Sequence, residues 1–102
     1  MKIIALEHET PDVTGADFEP HLKAEAAKVY ELMQANLIRE IYFRQDRAEA
    51  VLILECADVD TARAALDEMP LVQAGLITFE LIPLAPYPGL KRLFEQIRTG
   101  DT

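Results

Sequence analysis

MPLVQAGLITFELIPLAPYPG, residues 69–89, contains the strand from which we predict the fold. It predicts a short turn, an apolar strand over Leu76–Ile82, and then an arm that is interrupted by three prolines. Apolar side chains occur at both parities of the strand: Ile77, Phe79 and Leu81 on one face, Leu76 and Ile82 on the other. Both faces must therefore be covered. Since one helical layer in a chain this short covers one face, we expect a second copy of the protein to cover the other.

The rest of the chain predicts three more strands and three helices. The strands are Lys2–His8, Leu37–Gln45 and Ala50–Cys56. A first helix is expected from an N-cap at Asp17 to about Gln34, and a second from a cap at Asp58 or Asp60 to Pro70. A short amphipathic tail follows Gly89, with its apolar residues at Leu90, Leu93, Phe94 and Ile97. The order β-α-β-β-α-β predicts one α+β domain over residues 1–102, a ferredoxin-like antiparallel four-stranded sheet with two helices on one face and a C-terminal helix.

The hydrophobic pattern also predicts which residues face the core. The first helix has an apolar stripe at Phe18, Leu22, Ala26, Val29 and Met33, and the second has one at Val59, Ala62, Leu66 and Met69. On the second strand we expect two alternating sets: Ile38, Glu40, Tyr42 and Arg44, and Leu37, Arg39, Ile41 and Phe43.

Composition excludes several functions. The formal charge is −8, which disfavours binding to nucleic acid or to an anionic membrane, because both need clustered Lys and Arg. Half of the residues are hydrophobic (50%), which is enough for a packed core. Cys56, the single cysteine, lies in an apolar run and is expected to be a buried hydrophobe. Because we find neither a signal peptide nor a run of transmembrane length, we expect a cytoplasmic protein.

The segment Leu66–Tyr87 resembles the muconolactone isomerase group of the dimeric α+β barrel superfamily. The points of similarity are Met69-Pro70-Leu71, the strand end Phe79-Glu80-Leu81-Ile82-Pro83-Leu84, and the exit Ala85-Pro86-Tyr87-Pro88. The resemblance implies two ferredoxin-like protomers packed sheet against sheet, each with a small pocket between its own sheet and helices. It implies relatives that include isomerases, cofactor-free monooxygenases and lyases.

The same resemblance implies a Lys and a Glu about one turn apart on the first helix of an isomerase. Here the similar segment is Leu22-Lys23-Ala24-Glu25-Ala26. Lys23 and Glu25 are two residues apart, so we expect them on different sides of the helix.

His8 and Glu25 are the candidate catalytic acid or base. Proton transfer needs a titratable group within reach of the substrate, and His8 ends the first strand on the same face as Ile4 and Leu6. A half-exposed histidine at a strand end is the plainer alternative. Glu25 borders the apolar stripe of the first helix, although a solvated carboxylate there is also common.

Three further residues are candidates for substrate binding. His21 lies in the first turn of the helix, where it lines the pocket mouth or remains an ordinary surface histidine. Tyr42 and Arg44 share one face of the second strand, where they would orient an anionic or carbonyl ligand or form a simple surface charge pair. The two histidines lack the paired spacing of metal ligands, so we expect no metal site.

Taken together, these patterns predict a cofactor-free enzyme on a small, largely apolar organic molecule, with muconolactone isomerase-like proton transfer as the nearest example. A cofactor-free monooxygenase and a non-catalytic ligand-binding or assembly module are the alternatives. The predicted partners are a second copy of the chain, in a homodimer or a larger ring, and a small-molecule ligand. An enzyme would have an open pocket with His8 or Glu25 facing in, whereas Phe18, Val29 and Leu66 would fill that space in a module.

Overall fold

Four antiparallel strands form one sheet in the computed structural model, which describes residues 1–99. The strands are β1 (Lys2–Glu9), β2 (Ile38–Phe43), β3 (Ala50–Glu55) and β4 (Ile77–Pro83). Their order across the sheet is β2-β3-β1-β4, so β1 and β3 lie in the centre. This is the predicted ferredoxin-like α+β topology, and the prediction is confirmed.

The helices lie before β2, before β4 and at the C-terminal end. They are α1 (Gly15–Phe18), a 3₁₀ turn (Glu19–His21), α2 (Leu22–Gln34), α3 (Val59–Leu66), α4 (Pro70–Gln73), a second 3₁₀ turn (Gly89–Lys91) and α5 (Arg92–Thr99). Asn36 ends the α2 region with a positive φ of 62°, a conformation that asparagine tolerates better than most residues. The predicted tail residue Ile97 has its side chain outside the described part of the structure.

Two predicted helix boundaries are wrong: the N-cap of the first helix and the end of the second. The N-cap of the first helical segment is Thr14 and not Asp17, because Asp17 occupies the third helical position and accepts a hydrogen bond from the backbone N–H of Thr14 at 2.8 Å. α3 ends at Leu66, and Pro70 is instead the first residue of the short helix α4. Proline is tolerated at this position because the first N–H groups of a helix make no hydrogen bond within the helix. Asp58 is the cap of α3, as one of the two predicted alternatives, and accepts from Thr61 N at 2.7 Å.

The core lies between the sheet and the helices. Its fully buried large side chains are Ile3, Ile38, Leu52, Leu54, Leu66, Met69 and Ile77. Phe79 is 5% exposed, in agreement with its predicted place on the covered face of the last strand. The predicted stripe of α2 is only partly correct, since Leu32 is the buried residue of that helix while Leu22 and Met33 are exposed.

A β-bulge in β2 changes the predicted alternation of that strand. The pairing with β3 shifts between Ile38 and Glu40, so that Ile38 is opposite Leu54 while Ile41 is opposite Leu52. Ile38 therefore shares the helix-covered face with Ile41 and Phe43, although the sequence assigned it to the other set.

Candidate functional site

A cavity of about 520 Å3 lies between the first helical segment and the sheet. Phe18, Leu22 and Val29 form its helical wall, and Ile41, Phe43 and Phe79 are among the residues of its sheet wall. Four residues of the stripe that the sequence assigned to the core, Phe18, Leu22, Ala26 and Val29, line this space, which explains why they are not buried. Phe18 and Val29 border the space without closing it, as we expected for a ligand-binding pocket.

Glu7 is the buried carboxyl of this cavity. Its residue is 7% exposed, and it points to the helix-covered face because it follows Ile3 and Ala5 at the alternating positions of β1. The pKa of Glu7 is raised to about 7, mainly by burial and also by the negative charges of Glu49, Glu9 and Glu25, while a hydrogen bond from the backbone of Ala50 acts in the opposite direction. Near neutral pH this group therefore exists in both protonation states.

Glu25 lines the same cavity from α2. Its Oε1 accepts a hydrogen bond from the backbone N–H of Leu71 at 2.9 Å, which fixes the carboxyl against the start of α4. Burial raises the pKa of Glu25, while the Leu71 N–H and the charge of His21 act in the opposite direction. The cavity therefore holds two carboxyl groups that are close enough to influence each other and whose pKa values are both raised.

His8 lies on the opposite face of the sheet. Its Nε2 is 3.0 Å from Glu80 Oε1 on β4, and both side chains are about half exposed. It shares this face with Ile4 and Leu6, as the sequence predicted, but the helices cover the other face. Of the two predicted acid–base candidates, the structure therefore places Glu25 in the cavity and His8 outside it.

Tyr42 and Arg44 also lie away from the cavity lining. The Tyr42 hydroxyl donates to Glu40 Oε1 at 2.6 Å, and the Arg44 guanidinium donates two hydrogen bonds to Asp46. These contacts match the plainer alternative of local surface pairs. The structure brings neither residue together with Glu25.

His21 ends the 3₁₀ turn before α2, close enough to Glu25 to affect its pKa, but it is not part of the cavity lining. Lys23 is exposed while Glu25 faces the cavity, in agreement with their spacing.

Within residues 1–99, no group of three His, Cys, Asp or Glu side chains is arranged to hold a metal ion. The helices of the described residues include none that is long and apolar enough to cross a membrane.

The strand order, the helical layer on one face and the pocket between them define a ferredoxin-like α+β protein with an internal pocket. Solved structures that share this fold include two enzymes. Muconolactone isomerase superposes with a TM-score of 0.71 at 16% identity, over 86% of this chain and 92% of that chain. The 5-chloro-2-hydroxyhydroquinone dehydrochlorinase TftG from Burkholderia phenoliruptrix AC1100, in complex with 2,5-dihydroxybenzoquinone, superposes with a TM-score of 0.67 at 16% identity, over 85% and 96%.

The resemblance to the muconolactone isomerase group is thereby confirmed at the level of the fold. No protein-family model and no curated protein sequence matches the chain.

Proposed function

We propose that the protein is an enzyme that moves a proton on a small, largely apolar ring compound without a cofactor. The observation that carries the proposal is Glu7, a buried carboxyl with a pKa of about 7 in a cavity that also holds Glu25. A general acid or base works best when its pKa is near the working pH. The fold is shared with an isomerase and a dehydrochlorinase of small ring compounds, which agrees with this chemistry.

The two carboxyl groups divide the work of an isomerisation. Glu25 as carboxylate takes a proton from a carbon next to a carbonyl group, the double bond shifts, and protonated Glu7 returns a proton to the far carbon of the new system. One C–H bond breaks and one forms, so no oxidation state changes. The apolar lining excludes water from the carbanion-like intermediate.

Deuterium exchange tests the proposal. Uncharged β,γ-unsaturated lactones are incubated with the protein in D2O, and both isomerisation and deuterium incorporation are followed by NMR. Glu7→Gln and Glu25→Gln should each slow the reaction by about 10²-fold or more, the usual contribution of a positioned acid or base. Glu68→Gln, an exposed carboxylate that contacts Lys28, is the control and should keep the full rate. If Glu7→Gln also keeps the full rate, the proposal is wrong.

We also infer that the protein is a homodimer that pairs through the uncovered face of the sheet. The apolar side chains on this face are Ile4, Leu6, Tyr42, Val51, Ile53 and Ile82. Tyr42 is exposed and the other five are half-buried, so together they leave an apolar patch on the order of a few hundred Å2, the size at which a patch on a monomer often marks an interaction site. The exposed Leu84 and Tyr87 of the arm extend this patch towards the size of a standard interface, about 800 Å2 per partner.

A further inference from the structure

The charged side chains that line the cavity all carry the same sign. They are Glu7, Glu9, Glu19 and Glu25, and the lining contains no Lys, Arg or His among the residues that the structure describes. Glu7 and Glu25 lie inside, whereas Glu9 and Glu19 are exposed. A ligand that enters this cavity therefore meets carboxylates both at the entrance and within.

Basic groups near the cavity have partners elsewhere. Arg47 Nε is 3.0 Å from Glu49 Oε1, and Arg63 donates to the backbone carbonyl of Phe79 at 2.8 Å. Lys28 Nζ contacts Glu31 and Glu68 on the outer side. His21, beside Glu25, and the exposed Lys23 lie at this end of α2, and neither is part of the cavity lining. None of these places a cation inside the cavity to pair with a bound anion.

The rest of the lining favours flat apolar molecules. Phe18, Phe43 and Phe79 present aromatic rings, and Leu22, Val29 and Leu71 present aliphatic side chains. Aromatic and aliphatic walls bind an uncharged ring by burial of apolar surface. A carboxylate in the same place would lose its hydration without gaining a partner, and would face carboxylates of its own charge.

We propose that the substrate of this pocket is an uncharged ring compound bearing a hydroxyl or carbonyl group, and that the acidic lining excludes carboxylate-bearing analogues. This proposal rests on the proposed proton-transfer function and names the substrate class for it. The hydroxyl donates a hydrogen bond to a carboxylate, or the carbonyl accepts one from protonated Glu7. Selectivity comes from repulsion of the wrong ligands as much as from attraction of the right one.

Two probes of matched size test the charge preference: benzyl alcohol and benzoate. Binding is measured by titration of the 13C-methyl resonances of Leu22, Val29 and Leu71, which requires no activity. At about pH 8 benzoate should bind at least about tenfold more weakly than benzyl alcohol, since its carboxylate meets charges of its own sign in the binding site. Equal affinities would overturn the proposal, and so would a failure of both probes to shift these resonances.

Two variants separate charge from shape. The double variant Glu9→Gln/Glu19→Gln changes neither residue of the proposed proton-transfer pair. In this variant the ratio of the affinity for benzyl alcohol to the affinity for benzoate should fall by about threefold or more. Asp67→Asn, at the exposed end of α3, removes the same sign of charge away from the cavity and should leave the ratio unchanged. If the double variant and the control give the same ratio, the lining charges are not the cause and the proposal fails.

The failure of this proposal differs from the failure of the proposed function. If benzoate is excluded while Glu7→Gln keeps its rate of deuterium exchange, the pocket selects by charge but Glu7 does not transfer the proton. If benzoate binds as well as benzyl alcohol while Glu7→Gln abolishes exchange, the catalytic assignment stands and the substrate class is wrong.

Discussion

Replacement of Glu7 by Gln should stabilise the protein at neutral and alkaline pH. In the folded protein burial raises the pKa of Glu7 from an ordinary value of 4.5 to about 7. Each unit of difference between the folded and unfolded states corresponds to about 1.4 kcal/mol, so ionised Glu7 costs the folded state about 3 kcal/mol. Glutamine has nearly the same shape and no charge, and its amide carbonyl accepts a hydrogen bond as the carboxylate does. The variant should therefore recover most of this free energy.

The pH dependence follows from the direction of the pKa change. Between the two pKa values the folded state binds more protons than the unfolded state, so the stability contribution of Glu7 falls as pH rises. Well below 4.5 the group is protonated in both states and the substitution should have little effect. Above about pH 7 the full difference of about 3 kcal/mol should separate the variant from the parent protein.

Urea unfolding at about pH 5 and about pH 8, at one fixed protomer concentration, measures the effect. The difference in the free energy of unfolding between Glu7→Gln and the parent should be about 1 kcal/mol or less at the lower pH and about 3 kcal/mol at the higher. Glu68→Gln should shift neither value by more than about 0.5 kcal/mol, as is usual for a surface site. If the variant is less stable than the parent protein at about pH 8, or if the two proteins are equally stable at each pH, Glu7 is not held in an unfavourable environment.

The remaining predictions concern core packing, helix capping, assembly and nucleic-acid binding. Phe79→Ala should lower the free energy of unfolding by about 3–5 kcal/mol, and a loss under about 1 kcal/mol would contradict its burial in the core. Asp58→Ala should cost about 1 kcal/mol by removing the hydrogen bond to Thr61 N, whereas Asp60→Ala, in the same turn, should cost less. Analytical ultracentrifugation at micromolar protein should give a homodimer, and removal of residues 84–102 should weaken it; a stable folded monomer would contradict pairing through the sheet. Titration with DNA or RNA at physiological salt should show no binding, and micromolar affinity with a steep salt dependence would reveal a basic surface that the net charge conceals.

The sheet could be predicted because its strands have apolar residues on both pleat faces, a pattern that is typical of strands whose two faces are both covered. Ile77 and Phe79 face the helices and Ile82 faces the other side of the sheet, as predicted from the alternation of residues in β4. Capping and register were harder to predict. Thr14 and Asp17 are both good capping residues three positions apart, and only the hydrogen bonds between them assign their roles. The bulge after Ile38 has no glycine or other local signal in the sequence, so strict alternation was the natural assumption.

The site was predicted in part. Glu25 was identified because it borders the apolar stripe of α2, and that stripe lines the cavity. His8 was chosen because of its residue type, since imidazole titrates near neutral pH without any help from the protein, and Glu7 was not among the candidates. Both parities of β1 are apolar, with Ile3 and Ala5 on one side and Ile4 and Leu6 on the other, so the sequence did not show which side the helices cover. One signal was available in the sequence: Glu7 follows Ile3 and Ala5 at the alternating positions of β1, so its carboxyl group lies on one of the two apolar faces of that strand.

Glu7 and His8 show how one strand gives two adjacent titratable residues opposite environments. His8 reaches solvent and lies against Glu80, with its Nε2 3.0 Å from Glu80 Oε1. Glu7 is enclosed with three other glutamates near it, at a cost of about 3 kcal/mol when it ionises, against a total stability that for most domains is only about 5–15 kcal/mol. A glutamine would fit the same space without this cost. The presence of a carboxyl group there is therefore unfavourable for folding at neutral pH, and the property that it alone supplies is a proton that can be exchanged near pH 7 inside an apolar cavity.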